Sequence, residues 1–267
     1  MMLGINYLDW NNALSVLNKA YETGLFVLII GPKGTGKTTL VRKFASQLKK
    51  ELYSVNFSLR TRESHLIGTK ILDKGEISFA EGILVKSMRE GSMLYLDELN
   101  AAEADVLLRL DEALDDRRQL VLKEAEGQII NATADWFVIA TINPLSHVGT
   151  KELPPQVLSR FPFRLRLDYP PEDTELEIIN QHTTVDNSKT NDVKRAIKLA
   201  RSLREAAALE ELYYSPSLRE TIAFAKLLNT GIAAKQAAEI VYANVYEQWG
   251  EVEYRKVMDM IISIFGN

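Results

Sequence analysis

Cysteine is absent from the 267 residues, which excludes disulfides and thiolate-bound zinc. Histidine is almost as scarce. His65, His147 and His182 stand far apart without the HExxH spacing of a zinc hydrolase, so no histidine metal centre is expected. No apolar run approaches the roughly 20 residues that span a bilayer. The opening MMLGINYLDW also lacks a basic segment followed by an apolar one. A cytoplasmic chain without membrane insertion is expected. Positive charge is in short supply as well, since 32 Lys and Arg against 36 Asp and Glu give a formal net charge of −4 and a pI of about 5.6. That balance argues against a dedicated nucleic-acid binder. The remaining composition, 46% hydrophobic and 25% charged, suits a soluble globular chain of one large domain or two modest ones.

One stretch organises the chain. Gly31-Pro32-Lys33-Gly34-Thr35-Gly36-Lys37-Thr38 fits G-x-x-x-x-G-K-[ST]. Glycines there let backbone N–H groups turn inward around phosphate oxygens in conformations that a Cβ would hinder. Lys37 can reach the β- and γ-phosphates, and the Thr38 hydroxyl can ligate Mg²⁺. The flanks agree. Leu25 to Ile30 is wholly apolar, as in a parallel strand buried on both faces, and Leu40, Phe44 and Leu48 mark one helical face beyond the loop. Strand, loop and helix together aim a helix N-terminus at an anion. The expected ligand is ATP with Mg²⁺, held by Gly31 to Thr38 and by Thr39 behind them. No [NT]KxD motif follows to read guanine.

Met93 to Leu96 reads as a second buried strand, ending in Asp97-Glu98. That end of a doubly wound sheet faces the ligand crevice. Asp97 can join the Mg²⁺ shell with Thr38, while Glu98 orients and deprotonates an attacking water. Trp136 to Ala140 is a further strand, followed by Asn143-Pro144. Asn143 either starts a turn or sits in the crevice and helps to place the water. Earlier, Leu8 to Tyr21 reads as a helix, and Tyr53 to Phe57 as a short strand. Thr69 to Leu72 and Glu76 to Phe79 suggest a hairpin turning at Asp73-Lys74-Gly75, its base anchored by Ile71, Ile77 and Phe79. A helix is expected over Ala101 to Asp116, and a second hairpin around Glu126-Gly127. Tyr169-Pro170-Pro171 is the clearest boundary, giving an α/β domain over 1–170 and a small helical domain over 171–267. In the latter, Ser215-Pro216-Ser217 suggests an N-cap with proline at the first helical position. Arg219 then falls in the first turn, where the macrodipole disfavours a cation, so it is either solvated or functional.

Together the P-loop, LYLDEL with Asp97 and Glu98, ATINP with Asn143, ELPPQVLSRF with Arg160, and SPSLR with Arg219 resemble an AAA+ ATPase. More narrowly they resemble the MoxR branch, which includes the CbbQ, NorQ and gas-vesicle GvpN types. The resemblance implies a P-loop NTPase αβα sandwich with a parallel sheet, followed by an all-α lid. Residues from about 60 to 90 resemble that clade's helix-2 insert, although Gly82-Ile83-Leu84 stands where the family often has Gly-Pro-Leu. By resemblance Asn143 is sensor 1, Arg160 the arginine finger and Arg219 sensor 2. Arg117 or Arg118 is a candidate second trans-acting arginine. The resemblance further implies a ring homo-oligomer, usually a hexamer, and chaperone-like activation of a client complex with a von Willebrand factor A domain partner. The alternatives are a GvpN-type assembly ATPase and a DNA-acting AAA+ protein of initiator or clamp-loader type. The latter would usually add a basic surface or a recognition helix.

Overall fold

The apolar runs form one parallel sheet. In the computed structural model, which describes residues 5–73, 76–144 and 151–266 and only the backbone at 73 and 76, the chain divides into two compact units. They are Met1–Pro32 with Gly36–Asp168, and Lys33–Thr35 with Tyr169–Asn267.

The first unit opens with α1 (Ala13–Glu22) and β1 (Val27–Ile30), then α2 (Lys37–Leu48) and β2 (Leu52–Asn56). After α3 (Glu63–Leu66) come β3 (Gly68–Asp73), β4 (Glu76–Glu81) and α4 (Ile83–Glu90). Next are β5 (Met93–Asp97), α5 (Ala104–Leu114), β6 (Gln119–Leu122), β7 (Gln128–Asn131) and β8 (Phe137–Ile142). The unit closes with α6 (Pro155–Ser159) and β9 (Phe163–Arg166). The strand order is β2-β5-β8-β1-β9, with every pairing parallel. Val27, Leu28, Ile29, Leu94, Leu96, Val138 and Ile139 are fully buried at its centre, as expected for strands covered on both faces. Among the described residues no helix is long and apolar enough to cross a membrane.

Several boundaries differ from those expected, each for a local reason. Helix α1 starts at Ala13 rather than Leu8, because the Asp9 carboxylate accepts from the N–H groups of Ala13 (2.7 Å) and Leu14 (3.1 Å). Helix α5 starts at Ala104 rather than Ala101, since a 3-10 turn over Leu99–Ala101 intervenes. The first hairpin is present as β3 and β4, while Lys74 and Gly75 lie outside the described residues. Its expected apolar anchors are corrected in part. Phe79 packs against the core, but Ile71 and Ile77 are 42% and 74% exposed, and Leu72 is 75% exposed. Among the described residues the hairpin is a two-stranded sheet by itself.

The second unit contains α7 (Glu172–His182), α8 (Thr190–Ala208), α9 (Leu218–Asn229), α10 (Ala234–Ala238) and α11 (Glu251–Phe265). A π-helical turn over Glu239–Ala243 and a 3-10 segment over Asn244–Trp249 connect the last two. Ile197, Leu203, Phe224, Tyr242, Tyr246 and Ile261 lie at its core. The cap of α9 is Ser217 rather than Ser215. Its N–H donates to Glu220 Oε2 (2.8 Å) and its hydroxyl accepts from Arg219 N, so Pro216 precedes the helix instead of opening it.

Candidate active site

Strand β8 lies between β1, which leads into the P-loop, and β5, which ends in Asp97. All three run parallel, so their C-terminal ends share one edge of the sheet. Gly31 N donates to Ile142 O at 3.3 Å, and a Cβ on Gly31 would stand 2.0 Å from Leu167 O. Only glycine fits. Gly36, the residue before α2, has φ +92°, a conformation that side chains resist.

Lys37 is 7% exposed, so its ammonium needs partners. Nζ donates to Gly31 O (2.6 Å), Pro32 O (2.7 Å) and Asn143 Oδ1 (2.9 Å). The other end of the Asn143 amide donates from Nδ2 to Glu98 Oε1 at 3.2 Å. Its orientation is therefore set on both sides, oxygen toward the cation and nitrogen toward the carboxylate. Asn100 Nδ2 donates to Asn143 O at 3.0 Å.

Asp97 is tied to the P-loop. Its Oδ2 accepts from Thr38 Oγ1 at 3.2 Å, and its Oδ1 accepts from the Tyr95 hydroxyl (2.7 Å) and Thr141 Oγ1 (2.6 Å). Burial chiefly, with the Asp97 charge beside it, pushes the Tyr95 phenol above its ordinary value, so it stays protonated and donates. Thr141, fully buried, also accepts from Glu98 N at 3.0 Å. Glu98 holds φ 55° and ψ 44°, a conformation that few non-glycine residues occupy. A hydroxyl and a carboxylate side by side are hard oxygen donors of the kind that suit Mg²⁺, which needs few protein ligands.

Known families match this arrangement. The model of the AAA domain of the dynein-related subfamily matches residues 26–161. Protein NorQ of Paracoccus denitrificans is 30% identical over 260 residues, 97% of this chain and 94% of the relative. The denitrification regulatory protein NirQ of Stutzerimonas stutzeri is 31% identical over 233 residues, 86% of this chain and 82% of the relative. The chain belongs to the MoxR-like AAA+ ATPases. The fold agrees: a variant of RuvB from Thermotoga maritima superposes with a TM-score of 0.59 at 20% identity, covering 97% of this chain and 77% of that one.

In this AAA+ ATPase, Lys37, Thr38, Asp97, Glu98 and Asn143 form one hydrogen-bonded set. Pro32 contributes its carbonyl to Lys37, Thr35 is buried, and Thr39 is half-buried in α2. Arg160 is bonded elsewhere. It caps the C-terminus of α6, and its Nε donates to Asp111 Oδ1 of α5 at 2.8 Å. Arg117 is exposed and doubly bonded to Asp115, whose carboxyl it holds below the usual range. Arg118 is an internal tie, donating to Gly24 O (2.8 Å) with its guanidinium 4.8 Å from the centre of the Phe26 ring.

Arg219 lies in the second unit, exposed in the first turn of α9. The start of that helix is fixed from beneath. Arg204 makes a bidentate pair with fully buried Glu175 (2.9 Å twice) and donates from Nε to Pro216 O (2.8 Å), while Thr221 Oγ1 donates to Glu175 Oε1 (2.9 Å). Three residues near the nucleotide loop were not anticipated from sequence. Tyr95 is signalled only by alternation with Asp97 on one strand face, and Thr141 only by standing two before Asn143. Tyr7 would lie 3.7 Å from a Cβ on Gly36, and its buried hydroxyl has no hydrogen-bond partner among the described residues.

Proposed function

We propose that the chain is a ring-forming, Mg²⁺-dependent remodelling ATPase in which Glu98 is the general base and Arg160 completes the neighbouring subunit's site. The observation carrying this reading is the Asn143 amide, which bonds Lys37 of the P-loop at one end and Glu98 at the other. The nucleotide belongs to the loop Gly31–Thr38, with Lys37 at its phosphates. Thr38 and Asp97 would hold Mg²⁺, which when bound neutralises charge on the β- and γ-phosphates. Glu98, oriented by Asn143, takes a proton from water. That water's oxygen bonds the γ-phosphorus, the bond to the β,γ-bridging oxygen breaks, and ADP and phosphate leave. Arg160 in trans and Arg219 of the helical domain stabilise the charge on the transferring group. In this reading the division near Tyr169-Pro170-Pro171 separates motor from lid.

One relative is named a denitrification regulatory protein, and in this reading the object of the motor is a partner complex rather than a small metabolite. We place a von Willebrand factor A domain protein and a client beside it, with the β3–β4 hairpin as the contact. The test compares three full-length variants. Lys37→Ala should lose ATP binding, and Glu98→Gln should bind ATP but turn over about 10²- to 10⁴-fold more slowly. Arg160→Ala should bind normally, hydrolyse poorly, and regain activity when mixed with Glu98→Gln. Flat activity at every mixing ratio, with co-assembly demonstrated by ultracentrifugation, overturns the shared site.

A further inference from the structure

Arg160 and Asp111 come from different elements, the end of α6 and the third turn of α5. They meet as a side-chain pair, Nε to Oδ1 at 2.8 Å, with 28% and 24% of each side chain exposed. The Arg160 backbone is fixed too, its N–H donating to Val157 O at 3.1 Å. Among the described residues no other side chain hydrogen-bonds its guanidinium, although Asp115 and Asp116 add negative charge nearby.

A guanidinium has one donor on Nε and four on its two terminal nitrogens, all in one plane. A carboxylate that takes Nε fixes that plane and leaves both terminal nitrogens for a second anion. Phosphate recognition by arginine uses that planar fork. Building on the reading that Arg160 acts in trans, we propose that Asp111 is its positioning residue. Asp111 grips the finger through Nε and presents Nη1 and Nη2 to the γ-phosphate bound by the neighbouring subunit. Asp111 then serves the neighbour's site and not its own, although it stands on the helix that follows Glu98.

That directional claim gives the test. Full-length Asp111→Ala should bind an ATP analogue with unchanged affinity and lose between about 10- and 100-fold in kcat, the cost of a misplaced group rather than a missing one. Mixed with Glu98→Gln it should regain activity, because the Asp111→Ala subunit keeps its own Glu98 and the Glu98→Gln subunit donates an intact Asp111–Arg160 pair. Mixed with Arg160→Ala it should gain nothing, since neither partner can donate a held finger. Recovery of Arg160→Ala but not of Asp111→Ala by Glu98→Gln would show that Asp111 supports its own site, and the proposal falls. Wild-type turnover by Asp111→Ala alone also overturns it. Failure of the Arg160→Ala mixture instead removes the trans reading itself, a separate outcome. Should Asp111→Ala not fold, Asp111→Leu, close in size and without an acceptor for Nε, replaces it in the same mixtures.

Discussion

Thr141→Val is the most informative substitution in the nucleotide site, because valine keeps the shape of a fully buried side chain and removes only its hydroxyl. That hydroxyl donates to Asp97 Oδ1 at 2.6 Å and accepts from Glu98 N at 3.0 Å. A hydrogen bond to a charged group contributes about 1.5–3 kcal/mol, and an orphaned buried N–H costs about 1–3 kcal/mol. The Glu98 backbone, at φ 55°, stores a further cost of order 1–3 kcal/mol that its surroundings must hold in place. These terms share one network and do not add. We therefore expect a loss near 3 kcal/mol, which in a chain of this size lowers Tm by roughly 6–12 °C. Lys37 and the carbonyls that hold it are untouched, so ATP affinity should persist. Displacing Asp97 and Glu98 by about 1 Å should lower kcat on the order of 10²-fold. Thr141→Ser retains both bonds and should recover both properties. Thermal unfolding, equilibrium binding of an ATP analogue and steady-state ATPase rates check all three expectations. Turnover within about twofold of wild type, or a serine variant as impaired as the valine one, refutes the assignment.

Four further outcomes follow from the geometry. Gly31→Ala should abolish nucleotide binding or folding, because its Cβ would stand 2.0 Å from Leu167 O; a soluble variant with normal ATP affinity would contradict this. Glu175→Ala strands Arg204 without its carboxylate, so the helical unit should lose about 3–5 kcal/mol by denaturant titration. Tyr7, Tyr95, Tyr214, Tyr242 and Tyr246 are held above the ordinary tyrosine value of about 10, chiefly by burial, so each contributes stability below that pH that is lost as pH rises beyond it. Denaturant midpoints at about pH 9 and about pH 11 should fall together with the appearance of tyrosinate absorbance. Leu72→Ser with Ile77→Ser should leave folding and basal ATPase intact, since both side chains are about three-quarters exposed, yet remove the partner's effect on the rate; equal stimulation of variant and wild type excludes the hairpin as the contact.

The parts of this molecule legible in its sequence are those fixed by contiguous residues. An apolar run, a glycine loop and an amphipathic helix specify β1, the P-loop and α2 without reference to the rest of the chain. The same holds for Met93 to Leu96 leading into Asp97-Glu98. What escaped the sequence depends on partners far along the chain or on backbone conformations without a residue signature. The start of α1 is decided by Asp9 reaching forward to Ala13 and Leu14, which apolar periodicity ignores. The delayed start of α5 follows from Glu98 in the left-handed region, where glutamate carries no compositional mark. Alternation in the first hairpin promised buried Ile71 and Ile77, but alternation gives only a face and not what covers it, and these two side chains stay exposed. The Asp111–Arg160 pair spans 49 positions and two elements, so no local pattern could join them.

Strand order explains why the site concentrates on the end of β8. Because β8 stands between β5 and β1, groups at its C-terminus can reach both the Asp97-Glu98 edge and the P-loop. Thr141 and Asn143 are two residues apart, and in extended chain such residues share a face. Thr141 turns its one hydroxyl to Asp97 and the Glu98 backbone, while Asn143 spans from Lys37 to the Glu98 carboxylate. Glu98 is thus held at its backbone by one residue and at its side chain by the other. Both bonds are made with Glu98 in its left-handed conformation. Lys37 Nζ has three donors, and Gly31 O, Pro32 O and Asn143 Oδ1 accept from them, so a phosphate in the P-loop competes with these acceptors for the ammonium.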